Sequence, residues 1–404
     1  MRIVVQKFGG TSVAEEAGRR RIIGKVENAQ KQGLLPIVVV SAMGRKGAPY
    51  ATDTLIDVVR SENPKVGARE LDHLMCCGEM ISAVVVSALL QSAGLDAVML
   101  TGGQAGIITD EQYGNAHILQ IEKKHLLKLI EQGKIPVVCG FQGISVQGNM
   151  TTLGRGGSDT TAAALGAAVN AESVEIYTDV EGIMTADPRI VEQAKILNKI
   201  SYGEVCQLAH QGAKVIHPRA VEIAMQKNIP LIIKSTFSDA PGTLISNIDT
   251  ETEGMDSITD KVATGVTYLQ NICQVKIDQV DRTSSVDVFK ILADAGISVD
   301  LINVYPNCLV FTIGEKFMEL AEEKLKALGC FASFKPGCSK VSVVGGGMRE
   351  VPGVMANFVE ALAAEQIEIL QAVDSHTSIS VLISQDKLTE AVRSLHEKFN
   401  LSAN

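Results

Sequence analysis

The chain has no tryptophan, and Phe, Trp and Tyr together make up only 4% of its 404 residues, so its sites are not built as aromatic stacking platforms. It has no basic excess either. Lys and Arg number 37 against 46 Asp and Glu, and the net charge of −9 argues against a nucleic-acid or anionic-membrane surface. Apolar runs are short: Val84–Leu90 already contains Ser87, far from a membrane span. Met1–Gly10 holds Arg2 and Lys7 and soon reaches Gly9-Gly10, unlike a signal peptide. None of the eight cysteines forms a CxxC pair, and adjacent Cys76-Cys77 does not suit a zinc clamp. They read as reduced thiols of a cytoplasmic protein, mostly small core residues. Two nucleotide signatures are also missing, the GxxxxGK[ST] loop and a complete GxGxxG.

What is present points to a globular protein of two to four domains. Hydrophobic residues are 46% and charged residues 21%, which predicts a packed core and excludes general disorder. The 36 glycines suggest tight turns and sites made from backbone. Any anion must be handled by local geometry against the overall field.

Up to about residue 245 short apolar runs alternate with longer helical patterns. Ile3–Lys7, Pro36–Ser41, Ala97–Thr101, Pro136–Gly140, Val174–Thr178 and Pro230–Lys234 are the expected strands. Ala68–Ala93, Glu122–Gln132 and Pro218–Lys227 are expected helices. This order predicts an α/β fold, a mainly parallel sheet sandwiched by helices, with ligands near the carboxyl ends of its strands. Between Ser238 and Lys261 periodicity stops and acidic residues gather, marking a solvated linker. Beyond it Val288–Asp300 aligns with Phe358–Leu370 at an offset of 70 residues, which continues in Leu309–Ile313 against Ile379–Ile383. Each repeat reads strand, helix, strand, strand, helix and a closing strand, the ferredoxin-like order. The domains are therefore expected at 1–245, 262–335 and 336–404, the last two forming a sensing or assembly module.

Four segments could carry chemistry. Lys7-Phe8-Gly9-Gly10-Thr11-Ser12 ends the first strand with a lysine and two glycines, a pattern that admits a phosphate, or else an ordinary turn. Thr152-Leu153-Gly154-Arg155-Gly156-Gly157-Ser158-Asp159 runs into an Ala-rich helix. Ser158 or Asp159 can cap that helix, and Arg155 offers a planar fork for carboxylate or phosphate. Tyr177–Arg189 brings Asp179, Asp187 and Arg189 into a Gly- and Pro-marked loop, and spacing alone leaves a nucleotide loop and a plain surface loop both open. Lys214, in Gly212–Pro218, is the fourth; His217, before a proline, reads as holding a turn. Glu79 lies in an otherwise apolar helix, where burial needs a partner, so it is expected to face a cleft or meet a cation.

KFGGTS at 7–12, VVVSAMG at 38–44, CGE at 77–79, TLGRGGSDTTAAALGAA at 152–168, YTDVEGIMTADPR at 177–189 and GAKVIHPRA at 212–220 together resemble the aspartate kinase family. The likeness spans the chain, since the tandem repeats look like that family's regulatory ACT domains. SAMGRKG and Val373-Asp374-Ser375-His376 resemble its diaminopimelate-sensitive type from bacilli. The resemblance implies an amino-acid-kinase fold, with ATP and Mg²⁺ used to phosphorylate the β-carboxylate of L-aspartate. The product, 4-phospho-L-aspartate, opens the route to lysine, threonine and methionine. It implies catalytic roles for Lys7 and Asp159. ATP contacts fall on Lys7, Phe8, Gly9, Gly10, Ser41, Ser158, Thr178, Asp179, Met184, Asp187, Arg189 and Lys214. Aspartate contacts fall on Thr52, Glu79, Arg155, Gly156, Gly157 and Ser158, with Arg155 taking a carboxylate and Glu79 the ammonium. Met184 stands where relatives commonly have tyrosine.

An effector, diaminopimelate, lysine or threonine, is implied at Ser298, Val299, Asp300, Gly353, Val354, Gln366 and Ile367. The second repeat keeps a Val351-Pro352-Gly353-Val354 turn, whereas the first has Asp281–Val286 where relatives carry Pro-Gly. Pairing of ACT units implies a homo-oligomer; neither nucleic acid nor membrane is expected as a partner. Two alternatives stay open: an inactive amino-acid sensor, and a kinase of another small carboxylic amino acid.

Overall fold

The computed structural model describes residues 1–213, 215–247, 262–278, 282–346, 348 and 351–402. The linker expected at 238–261 is described only to 247, and there Thr243–Ser246 is instead a strand of a sheet with Thr243 and Ile245 buried, too short for its period to show in the sequence. Residues 248–261, and Lys214 with its expected nucleotide contact, lie outside the described residues.

Chain contacts divide the protein into two units. The first comprises Met1–Ile183, Ile196–Ala209 and Lys214–Thr252; the second comprises Met184–Lys195, His210–Ala213 and Glu253–Asn404.

Among the described residues of the first unit an eight-stranded sheet runs in the order Lys199–Ser201, Thr243–Ser246, Leu231–Ser235, Ser173–Thr178, Ile3–Phe8, Leu35–Val40, Ile135–Cys139, Ala97–Leu100. Every pairing is parallel except Thr243–Ser246 against Leu231–Ser235. The central strand Ile3–Phe8 is buried along its whole length, as a strand covered on both faces must be. The six expected strands and three expected helices are all found, with ends moved by one or two residues. A second, four-stranded sheet was not expected: Ile118–Ile121, Ile107–Thr109, Gln142–Ser145 and Met150–Thr152.

Helix Ala68–Ser92 is long and apolar enough to cross a membrane by length and composition. Here it is a core helix, packed on Ala97–Leu100, Ile135–Cys139 and Met150–Thr152, with Asp72 and Glu79 among its buried residues. All eight cysteines are free thiols; Cys76, Cys139, Cys273 and Cys338 are buried and Cys77 is exposed.

In the second unit two repeats share one six-stranded sheet, Val299–Tyr305, Cys308–Gly314, Gly265–Asp278, Ala332–Val344, Ser378–Ser384, Gln371–Asp374. The long strand Gly265–Asp278 bends at a bulge between Leu269 and Ile272, with Asn271 at φ 58°. Beyond the bulge it pairs with Cys308–Gly314 in the first repeat. Before it, Gly265–Leu269 pairs with Lys340–Val344 and so closes the second repeat. Strand Ala332–Val344 runs unbroken through positions 335 and 336. The first repeat buries Leu292, Phe311 and Leu325 in one core; the second buries Phe358, Val381 and Leu395 in another.

Candidate active site

Strand Ile3–Phe8 delivers Lys7 to a point where its ammonium forms an ion pair with Asp159 at 2.6 Å. Both side chains are nearly buried, 11% and 13% exposed, so water screens the pair weakly. Asp159 stands in the first turn of helix Gly157–Val169. That helix starts from Gly156 at φ 67° without a side-chain cap. Neither Ser158 nor Asp159 is the cap expected from the sequence, because both already lie inside the helix and Asp159 is engaged by Lys7.

Glycine is required around this pair by close approach. A Cβ on Gly10 would sit 2.8 Å from Gly44 O and 2.9 Å from Ala42 O, whereas one on Gly9 would meet nothing nearer than 3.5 Å. A Cβ on Gly156 would collide with the His217 ring, and one on Gly140 would lie 2.7 Å from Ser158 Oγ. Gly9 N donates to Tyr177 O at 3.1 Å, and Ser41 N donates to Phe8 O at 3.1 Å, tying three strand ends together. Phe8 is fully buried and stacks on Tyr177 with centroids 4.8 Å apart. His217 caps helix Pro218–Gln226 by accepting from Arg219 N, the turn-holding role expected of it.

Glu79 is 2% exposed, and its Oε1 accepts from Ala42 N at 3.0 Å. Its Oε2 has no hydrogen-bond partner among the described residues. Burial pushes its carboxyl up to about 8. An unpartnered, desolvated carboxyl of this kind is a receptor for an incoming cation. Arg155 is exposed on the turn between Gly154 and Gly156 and has no ion pair among the described residues. Thr52 opens helix Thr52–Glu62 and is half-buried. Ser158 is 8% exposed and Gly157 is buried. Thr178 Oγ1 donates to Asp179, whose other oxygen accepts from Arg45 at 2.8 Å. Arg45 was not singled out from the sequence.

Met184, Asp187 and Arg189 fall in the second unit. There Asp187 accepts from Arg189 at 2.6 Å and from Tyr268 at 2.9 Å, and the guanidinium holds its carboxyl down at about 2. Of the expected effector residues, Ser298 and Asp300 are exposed, Val299 is half-buried, and Asp300 pairs with the buried Lys340. Gly353 begins helix Val354–Ala364 at φ 91°, with Val354 buried beneath it. Gln366, at φ 54°, and the buried Ile367 follow that helix.

A parallel sheet whose strands end in glycine turns around a buried Lys–Asp pair, with no P-loop, defines a phosphotransferase of the amino-acid-kinase class. Residues 2–235 match the amino acid kinase family, and residues 333–397 match the ACT domain. Aspartokinase 1 of Bacillus subtilis (strain 168) is 46% identical over 404 residues, covering 100% of both chains. The crystal structure of E. coli aspartokinase III in complex with aspartate and ADP (R-state) superposes with a TM-score of 0.79 at 26% identity, covering 98% of this chain and 99% of that one. Its complex with lysine and aspartate (T-state) gives a TM-score of 0.77 with the same coverage. The chain belongs to the aspartokinase family and is a kinase whose acceptor is a carboxylate.

Proposed function

We propose that this aspartate kinase works through the Lys7–Asp159 pair, with Glu79 and Arg155 holding the acceptor. The observation that carries the reading is the buried Glu79 carboxyl with one oxygen unpartnered, in the same unit as a lysine already fixed on a carboxylate. Aspartate binds with its ammonium on Glu79 and its α-carboxylate on Arg155, leaving the β-carboxylate free. Thr52 and the Gly156–Ser158 turn line the substrate. The β-carboxylate oxygen attacks the γ-phosphorus of ATP, a new O–P bond forms, and the bond to the β-phosphate oxygen breaks to release ADP. Lys7 neutralises charge on the transferring group, and Asp159 holds that ammonium in place between turnovers. Gly9, Gly10, Ser41, Ser158, Thr178 and Asp179 are assigned to the nucleotide.

Mg²⁺ fits without a protein cage. No group of three or more metal-ligating side chains occurs among the described residues, and Mg²⁺ at nucleotide sites is held mainly by phosphate oxygens and water. The metal would neutralise charge on the bridging phosphates.

The ACT pair, divided along the sequence at 262–335 and 336–404 with Gly265–Leu269 lent to the second, follows a catalytic unit at 1–245 and binds an amino-acid effector near Ser298–Asp300 and Gly353–Val354. Lysine in the T-state relative supports this class of effector, and lysine, threonine and diaminopimelate are the candidates. Association through the ACT edges and a cytoplasmic location complete the proposal. One assay tests it: trap the acyl phosphate with hydroxylamine, using ATP-Mg with aspartate or glutamate, then titrate the three effectors. Hydroxamate from aspartate, lowered by an effector, is expected. No product with either acid points to an inactive sensor, and product with glutamate alone to a different kinase.

A further inference from the structure

Two charged side chains outside the assigned site converge on the turn that carries Arg155. Asp72, from helix Ala68–Ser92, is fully buried. Its carboxylate accepts from Thr152 N at 2.8 Å, Thr152 Oγ1 at 2.9 Å and Gly114 N at 3.0 Å. Arg219, from helix Pro218–Gln226, donates to Leu153 O at 2.8 Å and to Ala116 O at 2.9 Å. The same two stretches of chain, 114–116 and 152–153, are thus held by an anion through their N–H groups and by a cation through their carbonyls. Ala116 N, donating to Thr152 O at 2.8 Å, joins the two stretches directly. Neither Asp72 nor Arg219 has an ion-pair partner among the described residues; hydrogen bonds to backbone groups, and to Thr152 Oγ1 in the case of Asp72, take up the charges.

A buried carboxylate without a cation is expensive unless its hydrogen bonds require the charge. Burial raises the Asp72 carboxyl, and the donors from Gly114 and Thr152 offset that rise in part. Such an arrangement makes sense where a turn must not shift. Between Leu153 and the helix start at Gly157 lie only Gly154, Arg155 and Gly156, and both glycines are left-handed, at φ 76° and 67°. A span this permissive, closed by Gly157 N donating to Gly154 O at 3.0 Å and packed against His217, depends on its two ends to keep its place. Asp72 also stands seven residues before Glu79 on the same helix, two turns and about 10 Å along the axis, on the same face.

We infer that Asp72 and Arg219 are positioning residues for the acceptor, fixing the Arg155 turn relative to Glu79 and so setting which amino dicarboxylate fits. The inference rests on the roles proposed above for Arg155 and Glu79. Helix Ala68–Ser92 then acts as a ruler: one face carries the ammonium receptor directly and the carboxylate receptor through Asp72.

The test compares full-length wild type with Asp72→Asn, Arg219→Gln and Arg219→Lys in the hydroxamate assay. KM for aspartate should rise about 10-fold or more in Asp72→Asn and Arg219→Gln, because misplacement by an ångström is worth factors of this order. KM for ATP should stay within about 2-fold, the preference for aspartate over glutamate should narrow, and Arg219→Lys should recover part of the loss. Thr152→Val, which removes one hydrogen bond to Asp72 and keeps side-chain shape, should move KM for aspartate in the same direction if the charged variants fold poorly. Equal rises in both KM values that track lost thermal stability would overturn the inference, as would an unchanged KM for aspartate. Failure of wild type to use aspartate at all would instead strike the functional reading, before any variant is compared.

Discussion

A carboxyl group buried with one oxygen unpartnered resists ionisation, and Glu79 is raised to about 8 for that reason. Its consequence for stability has a definite sign. The folded protein keeps the proton where the unfolded chain, near 4.5, has released it, so stability falls as pH rises from about 4.5 to about 8 and is level above. Glu79→Gln preserves an acceptor for Ala42 N and should flatten that decline in a thermal-unfolding series against pH. An equally steep decline in the variant would show that other groups cause it. Substrate binding runs the other way, since an ammonium favours the ionised carboxylate. KM for aspartate should fall between pH 7 and pH 9 in wild type, and Glu79→Gln should raise it about 10-fold or more and remove that dependence. At Lys7 the expectation concerns rate. Lys7→Ala should lower turnover by about 100-fold or more while circular dichroism stays native, and near-normal turnover would remove Lys7 from the chemistry.

At the scale of elements, glycine turns separate steric need from ligand approach. Gly10→Ala places a methyl against two backbone carbonyls and should destabilise by about 1–3 kcal/mol, whereas Gly9→Ala meets only ordinary contacts and should melt near wild type. Calorimetry on the two variants decides this, and equal midpoints would refute the close approach at Gly10. Continuous apolar runs such as Pro36–Val40 made the parallel strands legible, because such strands are buried on both faces. The four-stranded sheet escaped because Ile107–Thr109 and Met150–Thr152 are three residues each, too short for any period. The strand closing the second repeat was expected after its last helix but comes from ahead of both repeats. Gly265–Leu269 precedes both repeats, so a constant offset of 70 residues has no copy of it to find. In the site, Lys7 and Arg155 were visible beside glycines, but the Lys7–Asp159 pair spans 152 positions and only folding brings it together. Asp72 and Arg219 carry no local signal: one reads as a polar residue of a helix, the other as a surface cation after proline.

At the scale of the whole molecule, one segment of the kinase sequence is built into the regulatory unit. Met184–Lys195 begins five residues after Asp179, yet Ala186 and Val191 are buried in the core that holds Phe358 and Leu395. Thr185 O accepts from Val266 N at 2.8 Å, Thr185 Oγ1 meets the buried His396 Nε2 at 2.9 Å, and Arg393 donates to Ile190 O at 2.8 Å. Any change of state in the second repeat therefore acts on a stretch covalently continuous with strand Ser173–Thr178. Deleting 262–404 would strip the cover from Ala186 and Val191, so lost inhibition in that truncation would mix effector loss with damage to the segment. Thr185→Val is the cleaner probe, removing the bond to His396 and the acceptor for Lys195 N at 3.0 Å while keeping shape. If the segment transmits the effector's influence, typically about 1–3 kcal/mol, this variant should shift the inhibition constant about 5-fold or more in the full-length enzyme. The measurement is hydroxamate formation against effector concentration. A titration superimposable on wild type would mean that the Thr185–His396 bond has no part in the coupling.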